Sequence, residues 1–210
     1  MIDTVQYEGF GNHSDLNKRI IRKGVHEMIQ GIIYSSTTGS GKYYAEELSR
    51  KLAIPAYPAK KCPLAAGFEV VFVGWLLAGK MVGLSAALKK YKVRVVVPVG
   101  MGDPAALTEE MVRGKNGLGA DVVVFPQQGR FNIDKLPLPM RLIMGAKNKE
   151  IASRLQAKAK KTALSEAEKA CLKMAETGRG EPATWDDIEK VVEWVKADNN
   201  APDVMRWYEP

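Results

Sequence analysis

Cysteine and histidine are both scarce in this 210-residue sequence, which has two of each. Cys62 and Cys171 lie far apart along the chain, and a chain of this length can bury a core without a disulfide framework. His13 and His26 form no cluster with cysteines or carboxylates at metal-ligand spacing. The sequence therefore predicts neither a disulfide scaffold nor a zinc centre.

Long hydrophobic runs are missing as well. No apolar segment approaches the roughly 20 residues that a membrane-spanning helix needs. Residues 1–27 are polar and lack the apolar stretch of a signal peptide. These absences predict a cytoplasmic protein.

Acidic residues are fewer than basic ones: the sequence has 24 Asp and Glu and 31 Lys and Arg, for a formal net charge of +7. This excess favours anionic partners such as nucleic acid, acidic lipid headgroups, phosphates or carboxylates, and it does not choose among them. A basic surface that is only solvated is an equally open interpretation. Nucleic acid is the least favoured partner, because no helix-turn-helix, zinc-finger or RNA-binding aromatic motif accompanies the charge.

What the sequence does contain is a series of short apolar runs separated by helical patterns. The runs are rich in Val, Ile or Phe and show little alternation, which is typical of strands buried on both faces of a parallel sheet. They occupy residues 28–34, 69–75, 93–99 and 120–126. Helical patterns occupy residues 41–52, 82–90 and 104–113. This alternation predicts a doubly wound parallel sheet.

The remaining segments predict an edge strand, a helix start and two C-terminal helical regions. A weaker run at residues 52–59 contains prolines and predicts an edge strand. Asp103 before Pro104 is a typical helix start. The segments 147–176 and 183–198 are helical by composition and are separated by the turn TGRGEP. In the last segment an apolar stripe predicts core packing, and its members are Trp185, Ile188, Val192 and Val195.

The stretch YSSTTGSGK, residues 34–42, leaves a buried strand and enters a helix. Backbone N–H groups and the positive end of the helix dipole make such a junction an anion site. Small hydroxyls add donors, and Gly39 and Gly41 allow the backbone to curl around phosphate oxygens. The loop predicts a bound phosphate, and a Ser/Thr/Gly turn that holds nothing is the alternative from these residues alone.

Two common phosphate motifs do not match this loop. A nucleoside-triphosphate loop, G-x-x-x-x-G-K-[ST], requires glycine where Ser36 stands and a hydroxyl next to Lys42 where Tyr43 stands. A dinucleotide fingerprint, G-x-G-x-x-G, is absent because no glycine follows Gly41 at the right spacing.

The longer stretch YSSTTGSGKYYAEELS resembles the flavodoxin signature, in which a Ser/Thr-rich loop wraps the phosphate of FMN. Gly41 stands where that signature has its final threonine, which removes one hydroxyl and keeps the backbone donor. The resemblance implies a flavodoxin-like doubly wound parallel sheet of five strands in the order 2-1-3-4-5. It also implies that the FMN phosphate is bound by Ser36, Thr37, Thr38, Gly39, Ser40 and Gly41.

By the same resemblance, the segments after the third and fourth strands surround the flavin ring. Trp75 lies against the ring in this interpretation, and a plain hydrophobic plug is its alternative. The backbone near Gly79 and Gly100 approaches the reactive edge of the ring. The residues implied at the ring are Trp75, Leu76, Leu77, Ala78, Gly79, Gly100, Met101, Gly102 and Asp103.

The segments FVGWLLAGK, VVVPVGMGDP and GRFNIDKL narrow the resemblance to the branch that includes menaquinone-dependent protoporphyrinogen oxidase. The likeness covers about residues 28–150. It implies three parts: an N-terminal lead-in at 1–27, a flavodoxin-like FMN-binding domain at 28–146, and a helical C-terminal extension at 147–210.

The implied function is that of an FMN-dependent oxidoreductase that passes electrons between a donor and a quinone- or porphyrinogen-like partner. Two alternatives stay open: a one-electron carrier that docks on a redox partner protein, and a flavin-free binding protein. Small flavodoxin carriers are typically acidic, whereas this chain is basic, which fits an acidic substrate or a peripheral contact with an anionic membrane. The basic residues that suit such partners are Arg130, Lys135, Arg141, Lys147, Lys149, Lys158, Lys160 and Lys161.

Overall fold

The computed structural model describes residues 28–184 and 188–200, all of which belong to one compact unit. The predicted lead-in at 1–27 and Trp185 of the predicted apolar stripe lie outside the described residues. In chain order, the strands are β1 (Gly31–Ser35), β2 (Ala56–Pro58), β3 (Glu69–Leu77), β4 (Lys80–Met81), β5 (Lys92–Gly100), β6 (Val123–Val124), β7 (Gln127–Gln128), β8 (Phe131–Asn132) and β9 (Arg179–Gly180). The α-helices are α1 (Ser40–Leu52), α2 (Leu84–Lys90), α3 (Glu109–Asn116), α4 (Leu138–Ala159), α5 (Glu166–Thr177) and α6 (Glu189–Asn200).

The central sheet has the order β2-β1-β3-β5-β6, and each of these neighbouring pairs is parallel. Counted along the chain, these five strands have the order 2-1-3-4-5, so the predicted order is confirmed. β4 folds back antiparallel on β3, β7 continues beside β5, and β8 pairs with β9 in a separate two-stranded sheet. The chain therefore has an α/β fold with a mostly parallel sheet, compatible with the flavodoxin-like doubly wound fold.

Helices cover both faces of this sheet because successive residues of each buried strand face opposite sides. Ile32 and Val73 pack with α1 and α6 on one face. Ile33 and Phe72 pack with α2 and α3 on the other face. All four side chains are 0–1 % exposed, which explains why the strands show little alternation in sequence.

The helix α6 belongs to the same face as α1. Ile188, Val192 and Val195 of the predicted apolar stripe are buried in the cluster that contains β1, β3 and β5. An ion pair between Lys51 and Glu189 also joins α1 to α6. The helix α4 is continuous across residues 146 and 147, where the sequence analysis places the start of a C-terminal extension, and that boundary stays a prediction.

The fifth strand and the helix after the fourth strand differ from the sequence prediction. The fifth parallel strand is confined to β6, and Pro126, which lacks an N–H for the ladder, separates it from β7. The helix predicted from 104 begins later, at Glu109, with Thr108 as its N-cap. Asp103 instead accepts a hydrogen bond from the N–H of Ala105 (2.9 Å) and starts a single 3-10 turn.

The carboxyl ends of β1, β3 and β5 meet at one edge of the sheet, here called the carboxyl edge. Ser35 of β1 is aligned with Gly74 of β3, and Trp75 of β3 with Val99 of β5. Ligands of doubly wound sheets bind at this edge, where the strand order reverses. None of the helices in residues 28–184 and 188–200 has the length and apolar character needed to cross a membrane.

Candidate functional site

The loop between β1 and α1 lies at the carboxyl edge. Its last residue, Gly39, has φ 105°, a left-handed conformation that glycine adopts without strain. Among the described residues, no side chain accepts a hydrogen bond as the N-cap of α1. The first N–H groups of a helix have no partner inside the helix and attract negative charge. This terminus therefore has the chemistry of an anion site.

The hydroxyl of Ser36 is a second, independent feature of this loop. Its oxygen is fully buried and has no hydrogen-bond partner in the described part of the chain. A buried hydroxyl without a partner costs about 1–3 kcal/mol. A bound acceptor such as a phosphate oxygen would remove that cost.

Gly41 has a packing role at the start of α1. A Cβ at this position would lie 2.7 Å from the carbonyl oxygen of Ser35 and 3.4 Å from the Cβ of Ser36. The first turn of α1 thus approaches the end of β1 more closely than a side chain permits. The threonine of the signature does not fit at this point without a shift of the helix.

Two of the predicted phosphate-binding hydroxyls are bonded to the main chain of Arg130. The Thr38 hydroxyl donates to the Arg130 carbonyl oxygen at 3.2 Å. The Ser40 hydroxyl accepts from the Arg130 N–H at 2.8 Å and donates to its carbonyl oxygen at 3.4 Å. Thr38 and Ser40 therefore hold the segment after β7 in place. The hydroxyls of Ser36 and Thr37 remain as the loop's side-chain donors for a phosphate.

Arg130 also brings positive charge to the loop. Its Nη1 lies 3.9 Å from the point where a Cβ on Gly39 would be, and its Nε lies 3.4 Å from the carboxylate of Glu181. The sequence analysis included Arg130 only among the general basic residues. Its contact with a loop some 90 residues earlier has no local sequence signal.

Lys42 points away from the loop. Its Nζ lies 3.5 Å from the carboxylate of Glu46, one turn further along α1, and both side chains are more than half exposed. In a nucleoside-triphosphate loop the corresponding lysine contacts the phosphates. The position of Lys42 agrees with the mismatches at Ser36 and Tyr43.

The segment predicted as an open loop after the third strand is a β-hairpin. Leu76 and Leu77 belong to β3 and pair with Met81 and Lys80 of β4. The main chain of both residues is therefore part of a ladder, and their expected place at a flavin ring stays a prediction. Strand pairing was favoured over a loop here because the apolar run continues to Leu77, two residues past the predicted end of the strand.

The turn of this hairpin is tied to α3. Ala78 and Gly79 both have positive φ, 51° and 82°, the pattern of a type I′ hairpin turn. Asn116 donates to the Gly79 carbonyl oxygen at 3.1 Å and accepts from the Met81 N–H at 2.8 Å. The hairpin is thus fixed beside α3, and the Gly79 carbonyl has a protein partner.

Trp75 is half-buried at the end of β3. It continues the alternation of Val71 and Val73, which pack with α1, so its position in the strand places it on the α1 side of the sheet. Its carbonyl oxygen accepts from the N–H of Val82 at 3.0 Å. Its predicted contact with a flavin ring stays a prediction.

A cavity of about 220 Å³ lies beside the ends of β3 and β5. Four of the residues that the resemblance places at the flavin ring line this cavity, namely Leu76, Gly100, Gly102 and Asp103. The helices α4 and α5 contribute the opposite wall, with Arg154, Leu155, Glu168 and Cys171. Burial raises the pKa of the Cys171 thiol, and the hydrogen bond from Lys158 lowers the pKa of Glu168. At neutral pH the wall therefore has a neutral thiol and a charged carboxylate.

Met101 and Asp103 have structural partners. The carbonyl oxygen of Met101 accepts from the side chain of Gln128 (3.0 Å), and the Met101 side chain packs against the cluster of Phe131, Leu136 and Met174. The carboxylate of Asp103 accepts from the hydroxyl of Ser165 at 2.7 Å. The loop 100–103 is therefore held against α5, a contact that the sequence analysis did not predict.

Taken together, the geometry defines an α/β protein in which the loop before α1, at the carboxyl edge of the sheet, has the chemistry of an anion site. In the described part of the chain, no three His, Cys, Asp or Glu side chains are placed to hold a metal ion. No protein-family model and no curated protein sequence matches this chain.

Proposed function

We propose that this protein is a flavodoxin-like redox protein that binds FMN, with the phosphate at the N-terminus of α1. The observation that supports it most directly is the buried Ser36 hydroxyl, without a partner among the described residues, next to a helix terminus that no described side chain caps. The sequence resemblance supplies the choice of FMN among phosphate-bearing ligands. When bound, FMN accepts and donates electrons or hydride.

The residues of this chain fit the phosphate end of such a group. In this proposal, Ser36 and the N–H groups at the start of α1 donate to phosphate oxygens, and Arg130 neutralises part of their charge. Arg130 is already 3.4 Å from Glu181, so the phosphate shares this guanidinium with a carboxylate. Thr38 and Ser40 act indirectly, because they hold Arg130 at the loop.

The position of the flavin ring is inferred from the resemblance. In this proposal the ring lies between the hairpin turn at Ala78 and Gly79 and the loop 100–103. Gly100 allows the Leu76 side chain to approach the main chain of this loop, since a Cβ there would lie 3.3 Å from Leu76 Cδ1. We further propose that the electron partner is quinone- or porphyrinogen-like, because the cavity beside this loop has apolar walls at Leu107 and Leu155.

The first prediction is that the protein as purified, or after addition of FMN, shows a flavin absorption spectrum. Ser36→Ala is expected to weaken FMN binding by about tenfold or more, because it removes a hydrogen bond to a charged group. It is expected to leave riboflavin binding unchanged, since riboflavin has no phosphate. Fluorescence titration with both flavins measures the two affinities.

The control is Ser153→Ala, which removes an exposed hydroxyl from α4 and should bind FMN as the unaltered protein does. Equal losses for FMN and riboflavin in Ser36→Ala would place the phosphate elsewhere. A colourless protein that does not take up FMN would support the flavin-free alternative. Two measurements separate the one-electron carrier from the oxidoreductase. Well-split reduction potentials in a redox titration favour the carrier, and rapid reoxidation of the reduced protein by a quinone favours the oxidoreductase.

A further inference from the structure

The first turns of α4 are apolar on both sides. The inner side is accounted for, because Met140 and Met144 pack against Leu136 and Met174. The outer side has three large apolar residues that are 60–71 % exposed: Leu138, Leu142 and Ile143. We call these three residues the α4 outer face. A helix that is apolar all round is normally covered on all sides, and three such side chains within six residues exceed the scattered exposure that is normal for a surface.

The charge around the α4 outer face is mostly positive, and the nearest carboxylates in sequence, Asp134 and Glu150, are paired with Arg179 and Lys147. Residues 135–149 contain four basic residues and no carboxylate. Arg141 donates to the carbonyl oxygens of Asp134 (2.7 Å) and Leu136 (3.4 Å), so it is held at the protein surface. Lys135 and Lys149 are exposed and flank the apolar residues in the sequence, and Lys147 is paired with Glu150 at 2.7 Å.

We propose that the α4 outer face binds the surface of an anionic lipid bilayer. Leu138, Leu142 and Ile143 enter the boundary between headgroups and acyl chains, and Lys135 and Lys149 contact the anionic headgroups. This combination of an apolar stripe and flanking lysines is how surface-lying helices bind membranes. Beyond residue 146 the outer side of α4 becomes polar and charged, so the apolar part of the contact is confined to the N-terminal half of the helix. The inference does not depend on FMN.

The test uses the full chain in flotation assays with two kinds of vesicle. One is phosphatidylcholine alone, and the other is phosphatidylcholine and phosphatidylglycerol in equal parts. The protein is expected to float with the anionic vesicles at low salt and to bind the neutral ones at least about tenfold more weakly. The double variant L142S/I143S is expected to lose about tenfold or more of its binding to the anionic vesicles, because it removes the inserted apolar groups.

Charge variants give an independent measurement. K135Q/K149Q is expected to weaken binding by about fivefold for each lysine removed. The matched controls are K160Q/K161Q, which removes the same charge from exposed lysines at the far end of α4, and Met111→Ser, which removes an exposed apolar residue from α3. Both controls should bind nearly as the unaltered protein does. All these positions are exposed, so melting temperatures should be preserved and should show that the variants fold.

Three outcomes would overturn the proposal. Equal binding to neutral and anionic vesicles, or none to either, excludes an anionic bilayer as the partner. Equal losses in K135Q/K149Q and K160Q/K161Q show that general charge, rather than this face, attracts the lipid. A dimer in sedimentation that L142S/I143S abolishes, without vesicle binding, assigns the face to a second copy of this chain.

Discussion

Replacing Gly41 with threonine, the residue of the flavodoxin signature, is expected to lower the free energy of unfolding by about 2–3 kcal/mol. A Cβ at this position would lie 2.7 Å from the carbonyl oxygen of Ser35, and a main-chain atom at the end of a buried strand cannot rotate out of the way. The first turn of α1 would have to move away from β1. Chemical denaturation of the two proteins measures the difference.

The same shift of α1 is expected to weaken FMN binding, since the N–H groups at Ser40 and Gly41 move with the helix turn. The matched control is Gly114→Thr in α3, where no atom lies within 4 Å of the added Cβ. This control should be neutral or slightly stabilising, because threonine is the better helix former. If Gly41→Thr and Gly114→Thr are equally stable, then the close approach of α1 to β1 is not a constraint on this fold.

Replacing Gln128 with alanine is expected to lower the free energy of unfolding by about 3 kcal/mol, or about 1 kcal/mol for each of three lost hydrogen bonds. Its amide nitrogen donates to the carbonyl oxygens of Met101 (3.0 Å) and Ala167 (2.8 Å), and its amide oxygen accepts from the N–H of Ala183 (2.8 Å). The side chain is 3 % exposed, so water replaces these partners poorly. Chemical denaturation measures the change in the free energy of unfolding, and faster hydrogen exchange at the Ala183 N–H reports the loss of its bond to Gln128.

The control for this prediction is Gln156→Ala. Gln156 also makes a side-chain hydrogen bond, to Glu176 at 2.8 Å, but that bond is exposed on the surface of α4 and α5. Its loss should change stability by less than about 0.5 kcal/mol. If exchange at Ala183 is unchanged in Gln128→Ala, then the contact between the carboxyl edge and the segment after α5 does not depend on this side chain.

Replacing Gln128 is also expected to affect the candidate site, because the Gln128 side chain joins the loop 100–103 to α5. The loop is one of the two that the resemblance places at a flavin ring, and α5 forms a wall of the cavity beside it. A protein that binds FMN at this edge is therefore expected to lose ring affinity in Gln128→Ala in addition to stability. Such a loss would affect riboflavin and FMN equally, which distinguishes it from the effect of Ser36→Ala.

Much of the fold was predictable because its signals are local. The apolar runs at 69–75 and 93–99 differ from β3 and β5 by no more than two residues at either end, since strands buried on both faces need consecutive apolar residues. The loop before α1 was predictable for the same reason, because a strand, a glycine-containing turn and a helix follow one another directly. The strand order came from the resemblance to flavodoxins and is confirmed by the pairing of β1 with both β2 and β3.

Other features had no local signal. The hairpin turn at Ala78 and Gly79 is hard to predict, because alanine seldom adopts a positive φ and here does so at 51°. The close approach of α1 to Ser35 depends on how the helix packs, and glycine in a loop is equally compatible with a phosphate cradle. The partners of Asp103 are 2 and 62 residues away, and only the nearer one belongs to the helix start that the sequence indicates.

The sequence by itself determined the alternation of strands and helices, the parallel character of the sheet and the position of the glycine-containing loop before α1, because each of these depends on residues that are neighbours in the chain. Only the tertiary structure decided which groups face that loop. In the folded chain the Arg130 side chain lies next to Gly39, and the hydroxyls of Thr38 and Ser40 hydrogen-bond to the Arg130 main chain. The helices α4 and α5 lie beside the end of β5. These contacts join segments far apart in sequence, and their geometry depends on how the whole chain packs rather than on any local pattern of residues.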